Sequence, residues 1–283
     1  MDKRDKYELI DGIPCYAPHL AWENEGFPAD FFDFLYKAEA QNFWFKTRNQ
    51  AILHLFKKYV VPNAQVHEIG CGTGYVLKAL EDKFPDYTLQ GSEIHLSGIK
   101  FAQTRLPKID FVQLDATHMP FNQVFDAVGA FDVLEHITDD EQVIAQVYKS
   151  LKPNGAFVIN VPQYQWMWSI TDDLAFHKRR YHRKDLKQKL EKAGFEVKYM
   201  GSFIFTLFPL MYLSRLFKRK KNNTIDKEQA HKLELGELKL PQFINAIFWG
   251  VTQLDVWLIK RGISLPFGGS LMVVAKKKAD DKK

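Results

Sequence analysis

The residues that most clearly suit ligand binding form one glycine-rich segment, Glu68-Ile69-Gly70-Cys71-Gly72-Thr73-Gly74. Its three glycines allow the backbone to turn tightly and to approach a ligand, because no Cβ stands in the way. Dinucleotide sites use G-x-G-x-x-G to place a pyrophosphate at a helix N-terminus, whereas the spacing here is G-x-G-x-G. Glu68 would repel a phosphate and favour a positive charge. The segment predicts a site for a cationic ligand without phosphate, with a purely structural glycine turn as the alternative.

Two further acidic residues follow later apolar runs. Glu93 precedes Ile94 and lies nineteen residues after Gly74, where a carboxylate can accept hydrogen bonds from both ribose hydroxyls. Asp115 can accept a hydrogen bond from an exocyclic amine, while the backbone N–H of Ala116 contacts a ring nitrogen. Together with the glycine segment, these positions indicate a cofactor that contains adenosine.

Two histidines and a pair of arginines are candidates for the reaction itself. His136 follows the fourth predicted strand, and His177 stands just before Arg179-Arg180-Tyr181. Histidine titrates near neutral pH and can act as a base towards a hydroxyl or a protonated amine. Paired arginines can hold a carboxylate or phosphate through parallel hydrogen bonds, which favours an anionic substrate for this segment. A structural or surface role is the alternative for each histidine, and no metal site is predicted.

The elements that must position these residues alternate between strand and helix from residue 65 to about residue 203. Apolar runs predict the strands Val66–Ile69, Thr88–Ser92, Phe111–Leu114, Phe125–Phe131, Ala156–Val161 and Phe195–Met200. Helical periodicity predicts the helices Tyr75–Phe84, Ser97–Leu106, Asp139–Leu151 and Arg183–Ala193. This alternation forms βαβ units with right-handed crossovers. The predicted fold class is α/β, a mostly parallel Rossmann-like sheet with helices on both faces.

The regions outside this alternation predict a cap and an insertion. Residues 1–60 are aromatic and mixed in charge, and helical patterns from Phe31 and Thr47 predict an N-terminal helical cap. Residues 61–203 and 269–278 form the predicted sheet domain, because Ser270–Ala275 has the pattern of a final strand. Residues 204–268 then form a helical insertion before that strand.

The insertion contains two apolar segments, and the first is followed by Lys218-Arg219-Lys220-Lys221. Aromatic, apolar segments beside a basic cluster suit a helix that lies on an anionic membrane surface. They suit equally a cap over the active site or a homodimer interface, and the cap is the favoured interpretation. Peripheral membrane contact through residues 203–221 and a homodimer stay open.

Composition bears on the size of the core, on nucleic-acid binding and on the cellular setting. Apolar residues make up 46% of the 283 residues and aromatic residues 14%, which is ample for a core. The net charge of +5 does not require a nucleic-acid partner, and none is predicted. Two cysteines, Cys15 and Cys71, favour a reducing, cytoplasmic setting. The charged N-terminus predicts no signal peptide, and no uncharged stretch reaches the ~20 residues of a membrane-spanning helix.

Residues from about 43 to 203 resemble a class I S-adenosylmethionine-dependent methyltransferase. The glycine segment, Glu93, Asp115 and the strand Phe125–Phe131 fall in the family's order. The chain is also similar to bacterial members that share further short segments around these motifs. In this sequence the segments are Phe43-Trp44-Phe45 with Arg48, Val161-Pro162, Trp168-Ser169, Asp172 or Asp173, His177, Arg179-Arg180-Tyr181, and Pro266 with Gly268 and Ser270. Glu68 departs from the commoner aspartate, and its longer side chain is expected to keep the role.

The resemblance implies S-adenosylmethionine as the cofactor and a seven-stranded sheet whose last strand is antiparallel. It places the three glycines around the methionine part, Glu93 on the ribose, Asp115 and Ala116 at the adenine, and Phe131 near the methionine end. The full predicted cofactor set is Glu68, Gly70, Cys71, Gly72, Gly74, Glu93, Ile94, Asp115, Ala116 and Phe131.

The predicted function is methyl transfer by in-line displacement to a small-molecule, glycan or lipid-linked acceptor, with O-methylation and an anionic substrate group expected. An NAD(P)-dependent oxidoreductase would need the G-x-G-x-x-G spacing. A nucleic-acid methyltransferase would explain the basic residues, but the loop after the fourth strand is Asp132-Val133-Leu134-Glu135 and lacks an Asn/Asp-Pro-Pro-aromatic pattern. A membrane-associated, non-catalytic partner protein would have no need of Glu68, Glu93 and Asp115 together.

Overall fold

The computed structural model describes residues 7–22, 31–221 and 240–279, and a nine-stranded sheet forms its centre. The strands are β1 (Glu8–Ile10), β2 (Ile13–Cys15), β3 (Gln65–Ile69), β4 (Thr88–Glu93), β5 (Asp110–Gln113), β6 (Phe125–Phe131), β7 (Leu151–Pro162), β8 (Phe195–Phe203) and β9 (Ser270–Lys277). The helices are α1 (Phe31–Ala38), α2 (Phe43–Tyr59), α3 (Tyr75–Lys83), α4 (Leu96–Arg105), α5 (Asp140–Ser150), α6 (Ile170–Leu174), α7 (Arg183–Lys192), α8 (Phe208–Lys221) and α9 (Gln242–Lys260).

The strand order across the sheet is β1-β2-β5-β4-β3-β6-β7-β9-β8. The strands from β5 to β7 are parallel, whereas β9 runs antiparallel to both of its neighbours, β7 and β8. The seven strands from β5 to β8 therefore confirm the predicted α/β class and the antiparallel final strand.

The sheet has two strands more than the sequence patterns predict. Strands β1 and β2 form an antiparallel hairpin around Asp11 and Gly12, whose φ angles are 52° and 78°. Positive φ at both central residues is what a tight two-residue hairpin turn requires. Cys15 of β2 pairs with Gln113 of β5, so the hairpin extends the sheet at that edge. The N-terminal segment thus supplies a strand pair in addition to the predicted helices.

Alternate strand residues pack on opposite faces of the sheet, because successive side chains of a strand point to opposite sides. In β7, Val158 packs into a core that also contains residues of α2, α3 and α4. Its neighbours Phe157 and Ile159 pack into a second core with residues of α5 and α7. The helices therefore cover both faces of the sheet, as predicted.

The residues predicted to bind the ligand lie at the carboxyl ends of the parallel strands. Strand β3 pairs with β4 on one side and β6 on the other, so the direction of strand addition reverses between β3 and β6. Ligands of open α/β sheets bind outside the carboxyl ends of the strands at such a reversal. The glycine segment follows β3, Glu93 ends β4, and Asp115 follows β5. Neighbouring strands lie only about 4.8 Å apart, so these groups face one site.

Helices α8 and α9 lie between β8 and β9, in agreement with the predicted insertion. Helix α9 packs on α2, where the hydroxyls of Thr47 and Thr252 are 2.9 Å apart. The carboxylate of Asp255 accepts hydrogen bonds from the backbone N–H groups of Phe205 and Thr206, at 2.6 and 3.1 Å. Asp255 therefore holds the chain that leads from β8 into α8 against α9.

The membrane prediction for this region is tested only in part. Within the described ranges, no helix is long and apolar enough to span a membrane. The side chains of Lys218-Arg219-Lys220-Lys221, at the end of α8, lie outside the described residues. Peripheral membrane contact through residues 203–221 therefore stays a prediction.

The buried histidine of β3 gives a pH-dependent contribution to stability. His67 is fully buried between the side chains of Gln90 and Ser92, at 3.0 and 2.9 Å, and burial lowers its pKa to about 3. An unfolded histidine has a pKa of about 6.5, so the unfolded chain binds the extra proton below that pH and stability falls. We expect the stability difference between the native chain and His67→Gln to shrink by about 2 kcal/mol between pH 7.5 and 5.0.

Urea unfolding of both proteins at the two pH values measures this change. Because other buried groups titrate equally in the two proteins, the difference isolates His67. A stability difference that is the same at both pH values would show that His67 does not stay neutral in the folded protein.

Candidate active site

A cavity of about 920 Å³ lies at the carboxyl edge of the sheet. Its wall combines the loops that follow β3 to β6 with residues of α1, α2 and α8. Most of the predicted site residues line it, namely Glu68, Gly70, Cys71, Gly72, Glu93, Ile94, Asp115, Ala116, Phe131, His136, His177 and Arg180. Three predicted residues are absent from the wall: Gly74, Arg179 and Tyr181.

The glycine turn after β3 has a conformation that other residues would disturb. Gly70 has a φ of +61°, and a Cβ there would lie 2.6 Å from Cγ2 of Val133. Gly72 has a φ of +51°, and its N–H donates to Oε2 of Glu93 at 3.0 Å. The turn therefore links the end of β3 to the carboxylate that ends β4.

Gly74 has a different task from the one predicted. It precedes α3 with a φ of +75°, and a Cβ there would lie 3.2 Å from side-chain atoms of both Ala102 and Leu106. Gly74 therefore permits the close packing of α3 on α4 and does not form part of the cavity wall.

Glu68 and Glu93 are buried carboxyl groups with capacity to accept hydrogen bonds from a ligand. Oε2 of Glu68 has no hydrogen-bond partner among the described residues. Burial raises the pKa of Glu68 well above its usual value, which the charge of Arg48 offsets only in part. Burial also raises the pKa of Glu93, although backbone N–H groups, including that of Gly72, act in the opposite direction. A cationic or hydrogen-bond-donating ligand would satisfy both groups.

Asp115 is already ordered by its own loop. Its Oδ1 accepts from the N–H of Thr117 at 2.8 Å, and its Oδ2 accepts from the Thr117 hydroxyl at 2.6 Å. Burial acts to raise the pKa of Asp115, but the hydrogen bonds from Thr117 and His118 outweigh it and lower the pKa. The carboxylate is therefore charged and fixed, and further acceptor positions remain on its two oxygens.

Two acidic residues of the loop after β6 also belong to the site. Asp132 has a φ of 59° and accepts from Arg48 at 2.5 Å and from the Asn160 amide at 2.7 Å. Glu135 is fully buried, and neither of its carboxyl oxygens has a hydrogen-bond partner in the described chain. Burial and then the charge of Asp132 raise the pKa of Glu135 well above its usual value. Neither residue was assigned a role from sequence, although both flank the predicted His136 loop.

The carboxylate of Asp172 joins three cationic or basic side chains. It lies 2.9 Å from Nδ1 of His177 and 2.7 Å from Nε of Arg180, and an Nη atom of Arg215 donates to it at 2.8 Å. Burial acts to raise the pKa of Asp172, but these partners hold the pKa below its usual value. Arg215 comes from α8, so the insertion contributes directly to the cavity. The sequence showed Arg215 only as an interruption of an apolar run.

The two predicted histidines meet at the cavity wall. The rings of His136 and His177 pack edge to face with centroids 4.8 Å apart. Burial, followed by the charge of His177, lowers the pKa of His136 to about 3. Ligand atoms of Glu135, His136 and His177 lie within 4.8 Å of one another, a spacing that could also hold a metal ion.

Arg179 and Tyr181 do not occupy the predicted substrate position. A guanidinium nitrogen of Arg179 lies 2.6 Å from Oδ1 of Asp140, and the Tyr181 hydroxyl donates to Oδ2 of the same residue at 2.7 Å. Asp140 is the first residue of α5, so the two side chains anchor this helix to the segment before α7. The prediction of substrate contact therefore survives for Arg180 alone.

Comparison with known proteins agrees with this geometry. Residues 67–159 match a family model described as a methyltransferase domain. A protein of Mycolicibacterium smegmatis named "Probable S-adenosylmethionine-dependent methyltransferase" is 27% identical over 161 residues, which cover 56% of this chain and 61% of that protein. Trans-aconitate 2-methyltransferase of Variovorax paradoxus is 30% identical over 117 residues, covering 41% and 45%. The chain thus matches about half of the length of these relatives.

The comparison with solved structures shows a shared fold. Phosphoethanolamine N-methyltransferase 2 of Haemonchus contortus, solved with S-adenosyl-L-methionine, superimposes with a TM-score of 0.52 at 17% identity, covering 81% of this chain and 52% of that chain. The likeness at this identity shows the fold, and the matched domain spans the glycine turn and the carboxylates of β4 and β5. The chain carries a class I S-adenosylmethionine-dependent methyltransferase domain.

Proposed function

We propose that this protein transfers the methyl group of S-adenosylmethionine to an oxygen atom of an anionic small-molecule, glycan or lipid-linked acceptor. The observation that carries the proposal is the division of charge within one cavity. Glu68, Glu93 and Asp115 line the part formed by β3, β4 and β5, whereas Arg180 and Arg215 line the part beyond β7. A cationic cofactor and an anionic acceptor would then meet at the loop after β6.

The carboxylate part of the cavity fits the cofactor. The Oε2 atom of Glu68 is buried without a partner in the described part of the chain, and a positively charged ligand group would compensate it. Glu93 ends β4, where a carboxylate can accept from two ribose hydroxyls. Asp115 and the backbone N–H of Ala116, which line the same cavity, would contact the adenine ring. The three carboxyl groups accept hydrogen bonds or attract positive charge, and they would disfavour a phosphate.

The arginine part of the cavity supports an anionic acceptor. Arg180 and Arg215 both pair with the carboxylate of Asp172, so the ion pairs of this cluster hold two guanidinium groups on one carboxylate. Guanidinium groups bind carboxylates and phosphates through directed hydrogen bonds. One relative, trans-aconitate 2-methyltransferase, is named for a carboxylate substrate. A carboxylate or phosphate on the acceptor would balance the charge at Arg180 and Arg215.

His177 is the better base of the two histidines. Its Nδ1 faces Asp172, and this carboxylate orients the ring and stabilises the protonated imidazole. The pKa of His136 is lowered to about 3, so His136 binds a proton too weakly to serve as the base at neutral pH. We therefore assign proton removal to Nε2 of His177 and a packing role to His136.

The cofactor and the protein have separate roles in the proposed reaction. When bound, S-adenosylmethionine supplies an electrophilic methyl group on a positively charged sulfur. The chain would hold the acceptor at Arg180 and Arg215, and Nε2 of His177 would take the proton of an acceptor hydroxyl as the new C–O bond forms, the methyl C–S bond breaks and S-adenosylhomocysteine is left. Alignment of the two reactants supplies much of the rate, up to ~7–11 kcal/mol in favourable cases. A carboxylate acceptor would need no base.

Calorimetry tests the cofactor site without any acceptor. Glu93→Gln keeps the size of the side chain and removes its charge, so two charge-assisted hydrogen bonds to the ribose are weakened. We expect the Kd for S-adenosylhomocysteine to rise at least about 10-fold, which corresponds to ~1.4 kcal/mol. Asp86→Asn, an exposed carboxylate beyond α3, is the control and should bind normally. Wild-type protein that binds neither S-adenosylhomocysteine nor S-adenosylmethionine would refute the proposed function.

Substitution of His177 tests the base. We expect His177→Gln to lower kcat by about 10²–10⁴-fold while leaving the Kd for S-adenosylhomocysteine unchanged. The loss in kcat should be at least tenfold smaller for His136→Gln, because His136 is too weak a base. Replacement of the exposed His19 with Gln should leave kcat unchanged. Transfer of the methyl group from tritiated S-adenosylmethionine is measured first with a cell extract. The rates of the variants are then measured with the acceptor purified from that extract. Equal losses in the His177 and His136 variants would contradict the assignment.

Substitution of Arg215 tests the anionic acceptor. Arg215→Gln removes one of two guanidinium groups and should raise the KM for the purified acceptor by about 10-fold or more, with unchanged cofactor affinity. Lys184→Gln removes an exposed positive charge from α7 and serves as the control. An unchanged KM in the Arg215 variant would mean that the acceptor's charge is bound elsewhere.

A further inference from the structure

The described outer surface of α8 and α9 is apolar to an unusual degree. Six large apolar side chains of α9 have exposed fractions between 40% and 67%, namely Phe243, Ile247, Trp249, Val251, Leu254 and Trp257. On α8, Leu210 and Leu213 are each 50% exposed. Apolar patches of this kind on a protein surface mark a site of contact with a partner or a membrane.

The exposed side chains of α9 form a continuous stripe. Phe243, Ile247, Leu254 and Trp257 follow one another at intervals of three, four or seven residues, which places them on one side of the helix. From residue 243 to residue 257, every exposed residue of α9 is apolar or glycine. The outer side of α9 therefore carries no charge over about four turns.

The inner side of the same helix is mixed, because the buried residues Val256 and Ile259 are apolar, whereas Thr252 and Asp255 are polar. Thr252 and Asp255 are fully buried, and their partners are Thr47 and the backbone of Phe205 and Thr206. A helix at a water-exposed surface usually carries its polar side outward. Helix α9 is instead apolar on its outer side as well as at two of its four buried positions, which suits surroundings that are more apolar than water.

Basic and aromatic side chains border the stripe where α9 ends. Lys260 and Arg261 are exposed there, and the Arg261 guanidinium carbon lies 4.7 Å from the centroid of the Trp257 ring. Tryptophan beside lysine or arginine is typical of the boundary between lipid chains and anionic headgroups.

The apolar surface also borders the cavity. Phe248 of α9 and Leu207, Leu210 and Met211 from the region of α8 line its wall. The two insertion helices therefore have one side on the active site and another on the surroundings. A molecule that lies at this surface would be close to the cavity.

We propose that the outer surface of α8 and α9 docks on an anionic phospholipid membrane and that the acceptor is a lipid-linked anion reached from that membrane. The second half of the proposal rests on the proposed function, whereas the docking does not. A second copy of the chain is the less suitable occupant. It would bring Lys260 and Arg261 to a stripe that offers no exposed acidic residue to pair with them.

Vesicle flotation tests the docking with the full chain. We expect the protein to float with vesicles of phosphatidylcholine and phosphatidylglycerol (7:3) and much less with phosphatidylcholine alone. Ile247→Glu combined with Leu254→Glu places two charges on the stripe and should weaken binding by at least 10-fold. Leu9→Glu, at an exposed apolar residue of β1 at the edge of the sheet opposite β8, is the matched control. Lys260→Glu with Arg261→Glu should remove most of the preference for the anionic vesicles.

Each outcome has a defined meaning. Absence of wild-type binding to the anionic vesicles at low salt overturns the proposal. A dimer in sedimentation analysis that the Ile247 and Leu254 substitutions dissolve, without vesicle binding, overturns it in favour of a second copy. Calorimetry with S-adenosylhomocysteine on the same variants should be unchanged, because the stripe faces away from the cofactor. Vesicle binding without any cofactor binding would support docking and refute the proposed function.

Discussion

The carboxylate of Asp172 is the point at which the sheet domain, the cavity and the insertion are joined. It lies within hydrogen-bond distance of His177, Arg180 and Arg215, and the third of these belongs to α8. Removing one member of a buried ion pair commonly costs about 3–5 kcal/mol, because the remaining charge loses its compensation. The position of α8 and the orientation of His177 are therefore set by the same group. The wall that α8 adds to the cavity and the orientation of the proposed base thus depend on one carboxylate.

The parallel sheet explains why so many carboxyl groups occur together in this protein. Strands β3, β4, β5 and β6 end at one edge of the sheet, and an acidic residue lies in the last residues of each strand or in the loop that follows it. Burial raises the pKa values of Glu68, Glu93 and Glu135, which means that the protein alone does not stabilise their charged forms. A bound cation or hydrogen-bond donor would relieve this cost. Cofactor binding should therefore stabilise the fold by mass action.

Sequence patterns predicted the central elements because each strand and helix there has its own local signal. They did not predict β1 and β2, which have three residues each and depend on pairing with Gln113. Arg180 and its neighbours show a second limit. Arg179 and Tyr181 both reach Asp140, whereas Arg180 reaches Asp172, because successive side chains of an extended segment point to opposite sides. Adjacent arginines in sequence were therefore not adjacent in the site.

The insertion shows why hydropathy alone could not choose between a cap, a dimer interface and a membrane contact. All three require apolar residues, and residues 243–259 supply them in any case. The exposure of the apolar residues distinguishes these roles. Ile247, Leu254 and Trp257 are exposed on the outer side of α9, while Phe248 reaches the cavity. The cap predicted from sequence and the proposed membrane contact are consequently two sides of the same helix.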